Sequence, residues 1–100
     1  MFDFRIWNLK SGKCIKTIEN ASYCYCIKKI SDSEIVTGSD FGLIKIWDLD
    51  SGAYKKMLIG HRNWVIKLDI LPSGELISAS LDKTIMIWDL RTGICINTYV

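Results

Sequence analysis

The sequence predicts an all-β chain built from a repeated unit of four short antiparallel strands. Three observations carry that expectation. The stretch Ile6-Trp7-Asn8-Leu9-Lys10-Ser11-Gly12 returns as Ile46-Trp47-Asp48-Leu49-Asp50-Ser51-Gly52 and again as Ile87-Trp88-Asp89-Leu90-Arg91-Thr92-Gly93, so Trp and Gly both recur after 40 and then 41 residues. Between these repeats lie short runs rich in β-branched and aromatic residues, separated by turn sequences. No segment holds apolar residues at i, i+3, i+4 and i+7 over ten positions, which is the mark of an amphipathic helix.

The elements are taken in chain order. Residues 1–18 supply two strands, the second half of a unit. Residues 19–58 supply a full unit. Within it, Glu34-Ile35-Val36-Thr37-Gly38-Ser39 stands 41 residues before the matching Glu75-Leu76-Ile77-Ser78-Ala79-Ser80. Residues 59–100 supply a second full unit. Its first strand, Trp64 to Leu71, ends at the turn Pro72-Ser73-Gly74. Leu76 to Ser80 is a short strand of small residues, and Leu81-Asp82-Lys83 is a tight connection. Thr84 to Leu90 alternates, with Ile85, Ile87 and Asp89 on one face and Met86, Trp88 and Leu90 on the other. Arg91-Thr92-Gly93 turns the chain into the last strand, Ile94 to Val100.

Composition narrows the function classes. Of 100 residues, 49% are hydrophobic and 24% charged, and the net charge is +2. That is a packed chain, not a disordered tail. The charges are spread, so no polybasic block marks a nucleic-acid or membrane partner. No apolar run reaches the ~20 residues of a spanning helix, and residues 1–6 lack the pattern of a signal peptide. An intracellular chain, cytoplasmic or nuclear, is expected. The four cysteines, Cys14, Cys24, Cys26 and Cys95, are then expected to be reduced. Cys24 and Cys26 should project to one strand face. That is not the usual zinc spacing, His61 is the only histidine, and no metal site or cofactor is expected.

A period near 40 with Trp-Asp at its end resembles the WD-repeat family of β-propellers. Further motifs carry the resemblance: Gly60-His61 stands 27 residues before Trp88, with Pro72-Ser73-Gly74 between and Asp82-Lys83-Thr84 just ahead of the Trp strand. The resemblance implies a partial β-propeller whose blades are four-stranded antiparallel sheets: residues 1–18 a half blade, 19–58 a degenerate repeat, 59–100 a complete repeat. Two and a half blades fall short of the 4–8 with which propellers close. A piece of a larger propeller or a truncated product is therefore expected, with the remaining blades as structural partners.

The resemblance also assigns roles. A buried hydrogen-bond network joins a His, a Ser or Thr, an Asp and the Trp of each repeat, here His61, Ser78, Asp82 and Trp88. It looks like a Ser-His-Asp triad, but the Trp and the repeat give it a structural role. The middle repeat keeps only Thr37 and Trp47. Glu19, Asn20 and Phe41 replace the Gly, His and Asp, so that blade should be less rigid, and Asp40 should point away toward the loop surface. Partner-contact positions carried over from the family are Trp64, Ile66 and Leu81 in the last repeat and Tyr23, Tyr25 and Asp40 in the middle one. Together they would form one patch suited to a peptide with an apolar side chain and a nearby Lys or Arg. Arg62 and Lys67 lie close enough to draw an acidic peptide instead.

The functional expectation is a non-catalytic protein-interaction scaffold that binds a protein or peptide on the propeller rim. Two alternatives stand beside it: a truncated fragment without independent function, and a propeller appendage that regulates an attached enzyme domain.

Overall fold

The computed structural model describes the backbone of residues 2–7, 11–20 and 24–100, and the side chains of 11–14 and 24–100. Among the described residues ten strands succeed one another: β1 (Phe2–Trp7), β2 (Cys14–Asn20), β3 (Cys24–Ser31), β4 (Glu34–Ser39), β5 (Ile44–Asp48), β6 (Tyr54–Leu58), β7 (Val65–Ile70), β8 (Leu76–Ser80), β9 (Ile85–Trp88) and β10 (Cys95–Tyr99). They form a two-stranded sheet, β1–β2, and two four-stranded sheets in which consecutive strands are neighbours, β3 to β6 and β7 to β10. Every pairing is antiparallel. The chain is all-β, as its repeat predicts. Among the described residues the only helical element is a single 3₁₀ turn, Asp40–Gly42. No helix among them is long and apolar enough to cross a membrane.

Short strands need tight turns, and the sequence supplies them. After β7 the chain reverses through Pro72-Ser73-Gly74, where Gly74 takes φ 93°, a conformation that favours glycine. Its N–H closes on the Leu71 carbonyl at 2.8 Å.

Alternation then decides which face of each sheet is buried. In the last sheet Leu68, Ser78 and Met86 form one row across β7, β8 and β9, and Ile70, Leu76 and Trp88 form the next. The opposite face carries Lys67, Ala79 and Ile85, then Asp69, Ile77 and Ile87. In the middle sheet Cys26, Gly38, Ile44 and Leu58 share a row, and Lys28, Val36, Ile46 and Lys56 the next. The main core lies between these two inner faces. Val36, Ile44, Ile46 and Leu58 of one sheet pack with Val65, Leu68, Leu76, Met86 and Trp88 of the other. Gly38 permits the close approach: a Cβ there would sit 2.7 Å from Val65 Cγ1.

Polar contacts add to this packing. Lys28 Nζ lies 3.1 Å from Asp69. Lys56 Nζ donates to the carbonyls of Leu90, at 3.2 Å, and Arg91. Cys26 Sγ reaches the Val65 carbonyl at 3.5 Å.

One expectation about the cysteines is corrected here. Cys24 and Cys26 do not share a face. The register of β3 against β4 slips between them, pairing Cys24 with Ser39 and Cys26 with Gly38. Such a bulge adds one residue to one strand and re-aims the side chains beyond it. Cys24 packs beside Trp47, Ile35 and Leu49 on the outer side, whereas Cys26 joins the core between the sheets. Burial raises the pKa of both thiols, that of Cys26 to about 11 with the neighbouring Cys24 as a second cause. Cys24, Cys26 and Cys95 are free thiols.

Candidate functional site

The site is built on the segment that leads into β7. His61 is buried and sits between two partners. Its Nδ1 is 3.0 Å from Asp82 Oδ2, and its Nε2 is 2.7 Å from Ser78 Oγ. The carboxylate draws the ring proton to Nδ1, so Nε2 accepts from the Ser78 hydroxyl. The Trp88 indole N–H then donates to Ser78 Oγ at 2.8 Å. The four residues of the expected relay are joined in that order.

The sequence did not show how strongly Asp82 is held. Besides His61, its oxygens accept from the Arg62 N–H at 3.0 Å, the Thr84 N–H at 2.9 Å and Thr84 Oγ1 at 2.6 Å. Burial pushes this carboxyl's pKa up. The hydrogen bonds from Thr84, the Arg62 N–H and His61 outweigh it and hold the group well below the usual carboxylate range. Ser78 itself is only 1% exposed. A hydroxyl enclosed between an imidazole and an indole has no open side from which to attack a substrate.

In the middle sheet the described part of the relay is one bond. The Trp47 indole N–H donates to Thr37 Oγ1 at 2.9 Å. Phe41 stands where the last repeat has Asp82, and its side chain is 79% exposed. The substitutions at Glu19 and Asn20 concern side chains outside those described.

Asp40 departs from expectation. It does not extend to the loop surface. It opens the 3₁₀ turn, is half-buried, and its Oδ1 is shielded without a hydrogen-bond partner among the described residues. The tightening of the chain into this turn ends the strand alternation on which the outward expectation rested.

The remaining contact candidates come together at one end of the two sheets. The rings of Tyr25 and Trp64, from adjacent sheets, stack with centroids 4.6 Å apart and planes inclined by 27°. Tyr25 is the extra residue of the β3 bulge, and Ile66 is the extra residue of a matching bulge in β7, where Val65 pairs with Ser80 and Lys67 with Ala79. The Leu81 N–H donates to the Trp64 carbonyl at 2.9 Å, which places the β8–β9 turn beside the stack. Tyr25, Trp64, Ile66 and Leu81 are all exposed. Tyr23 lies outside the described residues.

Comparisons with known proteins agree with this architecture. Residues 52–89 match the WD40 family, described as WD domain, G-beta repeat. Nuclear distribution protein PAC1 of Tuber melanosporum is 48% identical over 71 residues, 68% of this chain and 16% of that protein. WD repeat and SOCS box-containing protein 1 of Homo sapiens is 35% identical over 94 residues, 86% of this chain and 22% of that protein. The crystal structure of the WD40 beta propeller domain of Doa1 superposes with a TM-score of 0.90 at 25% identity, covering 98% of this chain and 33% of that one. The chain thus spans about a fifth of the length of such curated relatives.

Proposed function

Because this chain belongs to the WD-repeat family of β-propellers, whose members are generally non-catalytic and typically act as interaction scaffolds, we propose that it forms part of an intracellular, non-catalytic platform. A peptide or protein segment would bind on the rim formed by Tyr23, Tyr25, Asp40, Trp64, Ile66 and Leu81. Residues 1–18 would supply half of one blade, and 19–58 and 59–100 one blade each, the other blades coming from the rest of the propeller. The observation that carries the reading is the Tyr25–Trp64 stack. Two aromatic side chains from adjacent blades meet face to face yet stay exposed. Large, rigid aromatic surface of this kind is typical of binding hot spots. The buried relay supports the platform by fixing the blade behind it.

The test places Trp64→Ala and Lys55→Ala separately in the full-length protein and quantifies partners recovered by affinity capture. Lys55 lies on the outer strand β6, paired with Glu34 at 2.5 Å. Loss of partners with Trp64→Ala and retention with Lys55→Ala are expected. The reverse pattern overturns the rim assignment.

A further inference from the structure

Phe41 combines an exposed apolar side chain with an unusual backbone. It is 79% exposed, and it takes φ 59°, a left-handed backbone that is an outlier for a bulky side chain. Strain of this kind persists only where surrounding structure imposes it, and it gathers at ligand-binding positions.

The surroundings here do impose it. The next residue, Gly42, is wedged against the following blade: a Cβ on it would lie 2.1 Å from the His61 carbonyl oxygen and 3.1 Å from the Arg62 nitrogen. His61 and Arg62 are in turn pinned to Asp82. Two residues on, the Trp64 N–H is held by Asn63 Oδ1 at 2.8 Å. The 61–64 segment therefore receives the Phe41 turn on one side and the Tyr25 ring on the other, and it stands on a fixed support.

The free charge at this end is positive. Arg62 and Lys83 are exposed and make no ion pair among the described residues. The nearby acids are occupied or turned in: both Asp82 oxygens accept hydrogen bonds, and Asp40 Oδ1 is shielded.

Building on the rim reading above, we propose that Phe41 and Arg62 extend the rim site as an anchor pair for an acidic peptide segment. Phe41 packs an apolar side chain of the peptide, and Arg62 pairs with an oxyanion beside it, a carboxylate or a phosphate. The acidic partner is favoured over a basic one because the cations are exposed and make no ion pair among the described residues, whereas the Asp82 oxygens are occupied and Asp40 Oδ1 is shielded.

The experiment titrates the full-length protein with labelled synthetic decapeptides. Each carries one Leu or Phe flanked by Glu, by phosphoserine, by Lys or by Ser alone. Thermal unfolding of every variant is measured alongside. The Glu or phosphoserine series should bind at least tenfold more tightly than the Lys series, and whichever is tighter names the oxyanion. Arg62→Gln should abolish that preference. Phe41→Asn should weaken binding at least tenfold while raising Tm, since Asn tolerates the left-handed conformation. A fall in Tm with Phe41→Asn makes the residue structural and overturns the proposal. So do preferential binding of the Lys series and failure of every series to bind. If Phe41→Asn binds normally while Trp64→Ala does not, the anchor pair is wrong and the rim reading stands. If neither variant changes binding, both are wrong.

Discussion

Gly42 and His61 are in contact through their backbones. A single added methyl on Gly42 would lie 2.1 Å from the His61 carbonyl oxygen. Gly42 also takes φ 76°, so an L side chain meets both a strained backbone and an immovable neighbour. This contact ties the β4–β5 turn of one blade to the relay histidine of the next. Gly42→Ala should therefore destabilise the fold by at least ~2 kcal/mol, read as a lower denaturant midpoint in equilibrium unfolding. Gly74→Ala is the comparison. It has a positive φ but open space around it, so it should cost less, about 1 kcal/mol.

Acid should act through Asp82. Its pKa is held below the ordinary carboxylate value, which is about 3.9 in an unfolded chain. A depressed native value contributes stability that is present above about pH 4 and is lost as the pH falls further. Thermal unfolding across pH 2–7 should show Tm falling below about pH 4. Asp82→Asn should lower stability at pH 7 by roughly 1–3 kcal/mol and flatten that decline. Unaltered acid sensitivity in the variant would assign it to other carboxylates.

Ser78 and Thr37 occupy matching places with unequal duties. Ser78 Oγ serves the Trp88 indole and His61 Nε2, whereas Thr37 Oγ1 serves the Trp47 indole. Among the described residues, removing the hydroxyl orphans two buried groups in one case and one in the other. At ~1–3 kcal/mol per orphaned group, Ser78→Ala should cost about twice as much as Thr37→Val. Urea unfolding of the two variants makes the comparison.

The free face of the last sheet should make an isolated 1–100 polypeptide self-associate. Ala79 pairs with Ile85 and Ile77 with Ile87 on that face, and Ile85 is 42% exposed. In a propeller a further blade would cover such a surface. Sedimentation should show concentration-dependent oligomers. A stable monomer would mean that the face tolerates water.

Much of the fold was legible because the repeat prints the same rule twice. Two-residue alternation in Ile85 to Trp88 set the buried face, and Pro72-Ser73-Gly74 set the turn. The relay was legible through its family pattern, since its partners lie far apart in sequence. The bulges were hidden: nothing in Cys24-Tyr25-Cys26 marks an extra residue, yet the bulge separates the two thiols and presents Tyr25. The orientation of Asp40 was hidden too, because a 3₁₀ turn interrupts the strand alternation there. Phe41 was visible as a departure from the pattern. Its exposure and left-handed backbone depend on Gly42 docking against a segment some twenty residues away, and local sequence does not carry that.

If a partner lies over the Tyr25–Trp64 stack, site-specific photocrosslinking will capture it there. A photoreactive phenylalanine is placed at position 25 or at position 55 of the full-length protein in cells, and covalent adducts are compared. Adducts from position 25 that disappear with Trp64→Ala, and none from position 55, are the predicted result. Adducts from position 55 with none from position 25 would contradict it.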